Sequence, residues 1–106
     1  MNKRKIEESV KICQSVANHF GLTGEELLCK TRGSDGAARA RMIAAWLLRK
    51  RLGLRFVEVG LVFGRSHSTI MRAVERLGRE WTVSAGFRAS VWELLTESER
   101  ELYRRD

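Results

Sequence analysis

Residues Leu54–Arg79, LRFVEVGLVFGRSHSTIMRAVERLGR, decide how the rest of this chain is read. The stretch divides into two helical segments about a tight turn. Phe56, Val57, Val59, Val62 and Phe63 give the first segment an apolar face. Phe63-Gly64-Arg65 supplies the break, because Gly64 can take a positive φ that a β-branched residue cannot. Ser66 stands where an N-cap is wanted, its hydroxyl placed to accept from the backbone N–H of Thr69 or its neighbour. Ile70, Val74 and Leu77 then recur at steps of four and three, the apolar stripe of a second helix. His67, Ser68, Arg72 and Arg76 occupy the other side. A helix, a glycine turn and a second helix with a polar, cationic leading edge form the outline of a DNA-binding helix-turn-helix.

Residues 63–73, FGRSHSTIMRA, make that outline specific. They resemble the signature of the C-terminal DNA-binding domain of the bacterial replication initiator DnaA, in the Trp-repressor-like superfamily. That signature runs approximately Phe-Gly-Gly-Arg-Asp-His-Ser-Thr-Val-x-x-Ala. Phe63, Gly64, Arg65, His67, Ser68, Thr69 and Ala73 match, and Ile70 is a conservative replacement. VEVG at 57–60 resembles the preceding Pro-Glu-Ile-Gly. One glycine of the turn is missing, and Ser66 replaces an acidic residue. An acidic side chain there can accept from a cytosine amino group, whereas serine can donate to or accept from any base. The fold inference therefore carries over, and an identical target sequence does not.

The resemblance extends to about Leu95 and implies sequence-specific binding of double-stranded DNA, as in recognition of origin boxes. Base edges in the major groove are expected to meet Arg65, Ser66, His67, Ser68 and Thr69, with Arg72 further along the helix. Backbone or minor-groove contacts are expected from Lys30, Arg32, Ser34, Arg39, Arg41, Arg55 and Arg76. Of these, Lys30, Arg32 and Ser34 match the neighbourhood of the family's basic minor-groove loop. Phosphate contacts position a protein without specifying sequence.

Composition agrees with this reading. The 106 residues suit one domain with a modest core, and 43% hydrophobic content supports a folded chain. Apolar residues recur at three and four rather than alternating, so the fold class is all-α, a compact bundle of about six helices. No secretory signal follows the basic start, and no window approaches a membrane span; a cytoplasmic protein is expected. The net charge of +7 favours a polyanionic partner. Eight Lys and Arg lie between Lys30 and Arg55 against only Asp35, so the charge is concentrated near the helix-turn-helix. Cys13 and Cys29 are far apart and read as buried thiols rather than a disulfide or a zinc site. No metal and no cofactor are expected. The loop GSDG lacks the lysine of a phosphate-binding loop, so ATP hydrolysis by that machinery is excluded and the chain is not expected to be an enzyme.

Taken in order, residues 3–20 read as a helix with a core stripe of Ile6, Val10, Cys13, Ala17 and Phe20, closed by Gly21. His19 reads as a capping or surface histidine. Thr23 and Glu26 form a capping box, starting a short helix whose Leu27 and Leu28 point inward. Residues 30–36 read as a loop. Residues 37–52 form the central helix, with Trp46 in the core, Arg49-Lys50-Arg51 as C-terminal capping charge and Gly53 as the stop. Residues 81–86 read as a break, and Phe87, Val91, Leu94 and Leu95 as a covering helix. Thr96 and Glu99 form a second capping box, so the domain is placed at 1–95 and a short charged helix or tail at 96–106.

Two other readings remain open. A ligand-responsive regulator of the Trp-repressor type would need an obligate dimer and a small-molecule site. A basic protein-interaction module would need an acidic protein partner. A monomer on DNA is expected in preference to an obligate dimer.

Overall fold

The computed structural model describes residues 2–28, 35–96 and 99–100. Among them are six α-helices and no strand: α1 Lys3–His19, α2 Gly24–Leu28, α3 Asp35–Leu52, α4 Phe56–Phe63, α5 His67–Val83 and α6 Ala85–Val91, followed by a 3-10 turn, Trp92–Leu94. No helix among the described residues is long and apolar enough to cross a membrane.

Helix α3 is the scaffold, as its wide apolar arc predicts. Ala40, Ile43, Ala44, Ala45, Trp46, Leu47 and Leu48 are all buried, and helices α1, α2, α4 and α5 pack around them. The helix begins at Asp35, two residues before the expected start, so Asp35 and Gly36 are helical rather than loop. Gly53 ends it at φ 63°, after which Leu54 is buried.

Helix α1 is rotated from its expected face. Asn2 caps it by accepting from the Lys5 N–H at 2.9 Å, and Gly21 follows its end at φ 68°. Ile6 and Val10 are about half exposed; the buried seam is Ser9, Ile12, Cys13, Val16 and Ala17. Ser9 tolerates burial because its hydroxyl donates to the Lys5 carbonyl at 2.7 Å. Burial also pushes the Cys13 thiol up to about 11, which makes it an inert apolar filler. Cys29 lies outside the described residues. The capping box of α2 forms as expected, with Thr23 N–H to Glu26 Oε1 and Glu26 N–H to Thr23 Oγ1 both at 3.1 Å. Leu27 is buried, but Leu28 is exposed rather than inward-facing.

The expected break at 81–86 narrows to Ser84. Trp81, Thr82 and Val83 continue α5, and Ser84 both ends that helix and caps α6 by accepting from the Phe87 N–H at 3.1 Å. Trp81 stays helical because its ring is needed in the core edge, 5.6 Å from Trp46 and 6.5 Å from Phe87. Arg88 reaches back to the end of α5 and donates to the Trp81 carbonyl at 2.6 Å, a cation on the negative end of the helix dipole. His19 bonds the Ser90 carbonyl at 2.9 Å through Nε2, tying α1 to α6.

The basic run ending α3 is used for packing as well as charge. Arg49 donates to the Leu54 carbonyl at 2.8 Å and covers the Phe56 ring. The Lys50 ammonium lies 4.9 Å from the Trp46 ring and 4.7 Å from the Trp81 ring. Burial lowers its pKa, against the opposing pull of Glu99. Arg51 donates to the Leu94 carbonyl and pairs with Glu99 at 2.9 Å, with both side chains largely buried. Thr96 and Glu99 close their capping box, and Arg100 donates to the Trp92 carbonyl. Glu99 and Arg100 thus fold back onto the domain; the rest of the expected charged helix lies outside the described residues.

Candidate nucleic-acid interface

The helix-turn-helix is α4, Gly64-Arg65-Ser66 and α5. Gly64 takes φ 63° and ψ 37°, the left-handed conformation expected of it. The turn is tighter than the sequence alone indicates. The Arg65 N–H donates to the Gly60 carbonyl at 2.9 Å, and the Arg65 carbonyl itself lies 2.5 Å from where a Cβ on Gly60 would stand. Gly60 is therefore required by a close backbone approach. Val59 and Phe63 carry α4 into the core, while Val57, expected on that face, is 56% exposed.

Ser66 performs the predicted cap. Its Oγ accepts from the Thr69 N–H at 3.3 Å and lies 3.0 Å from Thr69 Oγ1. The cap fixes the first turn of α5, where free N–H groups and the positive end of the dipole favour an anion. Ile70 and Leu77 are buried beneath, so the polar leading edge is held outward. His67 and Arg72 are exposed and Ser68 is half-buried. His67 with Met71, and Ser68 with Arg72, stack one turn apart. Met71 is exposed on this edge too, although methionine at helical spacing ordinarily signals core. Its signal was phase, since it falls one residue after the buried Ile70. Glu75 is the one acid among residues 67–79.

The other expected cations are distributed unequally. Arg55 caps the start of α4 with its side chain 80% exposed, only loosely paired with Glu58 at 3.3 Å. The backbone N–H of Arg55 donates to Glu58 Oε1 at 2.9 Å and is the largest cause holding that carboxyl below its ordinary range. Arg65 folds its guanidinium toward the Phe63 carbonyl at 3.3 Å. Arg41 is 9% exposed, its Nε donating to the Leu27 carbonyl at 2.8 Å, so it joins α3 to α2. Arg41, Arg65 and Thr69 nevertheless share one crevice of about 150 Å³ between α3 and the start of α5. Arg39 donates to Glu80 Oε2 at 2.6 Å and lies 5.2 Å from the Phe87 ring centroid. Arg76 is largely exposed, 3.8 Å from the other oxygen of Glu80. Glu80 was not singled out in the sequence, because its partner lies forty-one positions away. Lys30, Arg32 and Ser34 lie outside the described residues.

The helix-turn-helix of the bacterial DnaA protein matches residues 10–77, from α1 through the buried Leu77 of α5. The chain belongs to the DnaA helix-turn-helix family. It is similar to chromosomal replication initiator protein DnaA 2 of Protochlamydia amoebophila, 36% identical over 67 residues, which are 63% of this chain and 15% of that protein. The initiator DnaA of Chloroflexus aggregans is 32% identical over 92 residues, 85% of this chain and 19% of that protein. That of Pseudothermotoga lettingae is 34% identical over 76 residues, 72% and 16% respectively. The chain spans less than a fifth of the length of these DnaA relatives. The DnaA match includes the turn and the leading edge of α5, while α6 and Glu99, the partner of Arg51, lie past its last residue.

Proposed function

We propose that this chain is a non-catalytic module that binds double-stranded DNA sequence-specifically, with α5 in the major groove and Lys30, Arg32 and Ser34 near the minor groove. The observation that carries the reading is the capped leading edge of α5: His67, Ser68 and Arg72 face outward from a DnaA-type turn held by Gly60 and Gly64. His67 and Ser68 can each donate to and accept from base edges, Arg72 suits guanine, and the Thr69 methyl suits thymine. Arg65 and Ser66 flank them at the turn. Arg55, at the start of α4, and Arg76, midway along α5, are both well exposed and hold phosphates. Lys30, Arg32 and Ser34 reach the minor groove. Arg41 contributes from the crevice wall beside Arg65. The relatives are chromosomal replication initiators by name, which supports a role at origin-type sites; the reading places the chain in the cytoplasm as a monomer on each site.

Selection from a random duplex pool at about 150 mM salt tests the proposal. Enrichment of one short motif supports it. A pool that stays random, with salt-resistant binding to an acidic protein instead, favours an interaction module.

One observation favours a second reading, the ligand-responsive regulator. An apolar cavity of about 290 Å³ lies behind the helix pair, lined by Ile6, Val10, Leu27, Leu28 and Val62 among others. A small apolar molecule that changes the affinity for the selected duplex would establish that reading.

A further inference from the structure

Thr69, Ala73, Arg76 and Glu80 follow one flank of α5 at steps of four, three and four, the flank that faces the N-terminal half of α3. Glu80 ends this row. Its Oε2 accepts from Arg39 Nη2 at 2.6 Å, and its Oε1 stands 3.8 Å from Arg76 Nε. The Arg39 guanidinium is further fixed over the ring of the buried Phe87. The two arginines are thus joined through one carboxylate that spans α3 and α5. Exposure separates the members. The side chain of Glu80 is 27% exposed and that of Arg39 37%, whereas that of Arg76 is 65% exposed. The Arg39–Glu80 bond is short and partly shielded, while the Arg76 contact is long and wet. A guanidinium in a charge-assisted bond of that length is largely neutralised toward a third charge.

We infer that Glu80 is an internal competitor for the phosphate backbone, a positioning residue that withholds Arg39 from DNA and sets an upper limit on the protein's sequence-independent affinity. The inference rests on the DNA-binding reading above. A phosphate approaching this flank meets a cation already engaged and an acid carrying its full negative charge. The hydrogen bond from Arg39 is the largest influence on the Glu80 carboxyl and holds it below its ordinary range, so it stays ionised at neutral pH. Arg76 is the cation this flank leaves for phosphate, and it lies beside the helix edge that reads bases. Weak binding off-site lets a DNA reader leave wrong sequences, so the device favours discrimination over residence.

Binding to a random-sequence duplex is measured across 50–200 mM salt for the wild type, Glu80→Gln and the double variant Arg39→Gln/Glu80→Gln, each checked for folding by thermal melt. The inference expects Glu80→Gln to bind more tightly and to steepen the log–log salt slope by about 0.9, one recovered phosphate contact. Its loss of affinity across that range then exceeds the wild-type loss by about 3.5-fold. The double variant removes the released cation and returns to the wild-type slope. An unchanged or shallower slope for Glu80→Gln overturns the inference while leaving DNA binding intact, as does a double variant that keeps the steep slope. Should Glu80→Gln fail to fold, Arg39→Gln serves alone: an unchanged slope supports withholding, and a slope flatter by about 0.9 overturns it. A wild type that binds no duplex at any salt overturns the DNA reading and this inference together.

Discussion

Gly60→Ala tests whether the turn holds α5 by backbone contact. The added methyl would stand 2.5 Å from the Arg65 carbonyl oxygen, half an ångström inside the 3.0 Å below which real Cβ contacts essentially do not fall. That neighbour is backbone, pinned on one side by the left-handed Gly64 and on the other by the Ser66 cap, so it cannot swing away as a side-chain end would. Overpacking of this kind costs about 1–3 kcal/mol. Stretching the Arg65 N–H bond to Gly60 adds about 1 kcal/mol, and alanine's better helix propensity returns a similar amount. The net expectation is about 1–3 kcal/mol, or a melting temperature lower by roughly 5–15 °C. Gly78→Ala, within α5, is the control, since a Cβ there meets nothing within 4 Å beyond its own helix backbone. It should raise the melting temperature by about 2–5 °C through propensity alone. Differential scanning calorimetry of both variants decides the matter. A Gly60→Ala protein as stable as the wild type would refute the close-approach argument.

Three further expectations follow from the same geometry. His67→Ala should melt like the wild type yet lose about 1–3 kcal/mol of discrimination at one base position, read by competition among single-base variants of a selected site; a large fall in melting temperature with preference intact would make His67 structural. Arg55→Ala should weaken binding to all duplexes alike and flatten the salt slope by about 0.9, whereas a changed sequence preference would place Arg55 among the base readers. The buried Arg51–Glu99 pair predicts a pH dependence of stability. Burial tends to raise the Glu99 carboxyl, but hydrogen bonds from Arg51 and the Thr96 N–H outweigh it and hold the group below its ordinary 4.5. Its stabilisation is complete above that value and is lost as pH falls through the lower folded value. Urea denaturation between neutral and acid pH should therefore show a flatter decline below about pH 4.5 in Glu99→Gln; parallel curves would contradict this.

The residues that set local structure were legible in the chain. Gly64, Ser66 and the two Thr-x-x-Glu boxes act through neighbours within three or four positions, which a sequence displays directly. The scaffold role of α3 was legible because its apolar arc is too wide for a surface helix. The face of α1 was not. Two stripes share Cys13 and Ala17, and the choice between Ile6 with Val10 and Ile12 with Val16 depends on which side α3 occupies. Ser9 also hid the answer, since its backbone bond, and not its residue type, permits burial. The break after α5 was misplaced because Trp81-Thr82-Val83 has weak helix propensity, which ring packing on Trp46 overrides.

The candidate site divides in the same way. Its outward edge follows from phase against Ile70 and Leu77, so His67, Ser68 and Arg72 could be placed from sequence. The fate of the arginines could not. Arg41, Arg39 and Arg51 find partners fourteen, forty-one and forty-eight positions away, and charge counting treats them all as surface cations.

Amide chemical-shift mapping of the ¹⁵N-labelled protein, titrated with a selected duplex at fixed salt, shows whether the leading edge of α5 reads DNA. The largest shifts are expected on residues 65–72, with Arg55 and Arg76 following and the buried face of α1 silent. Shifts concentrated instead on Ile6, Val10, Leu28 and Val62, with the α5 edge unmoved, would contradict it.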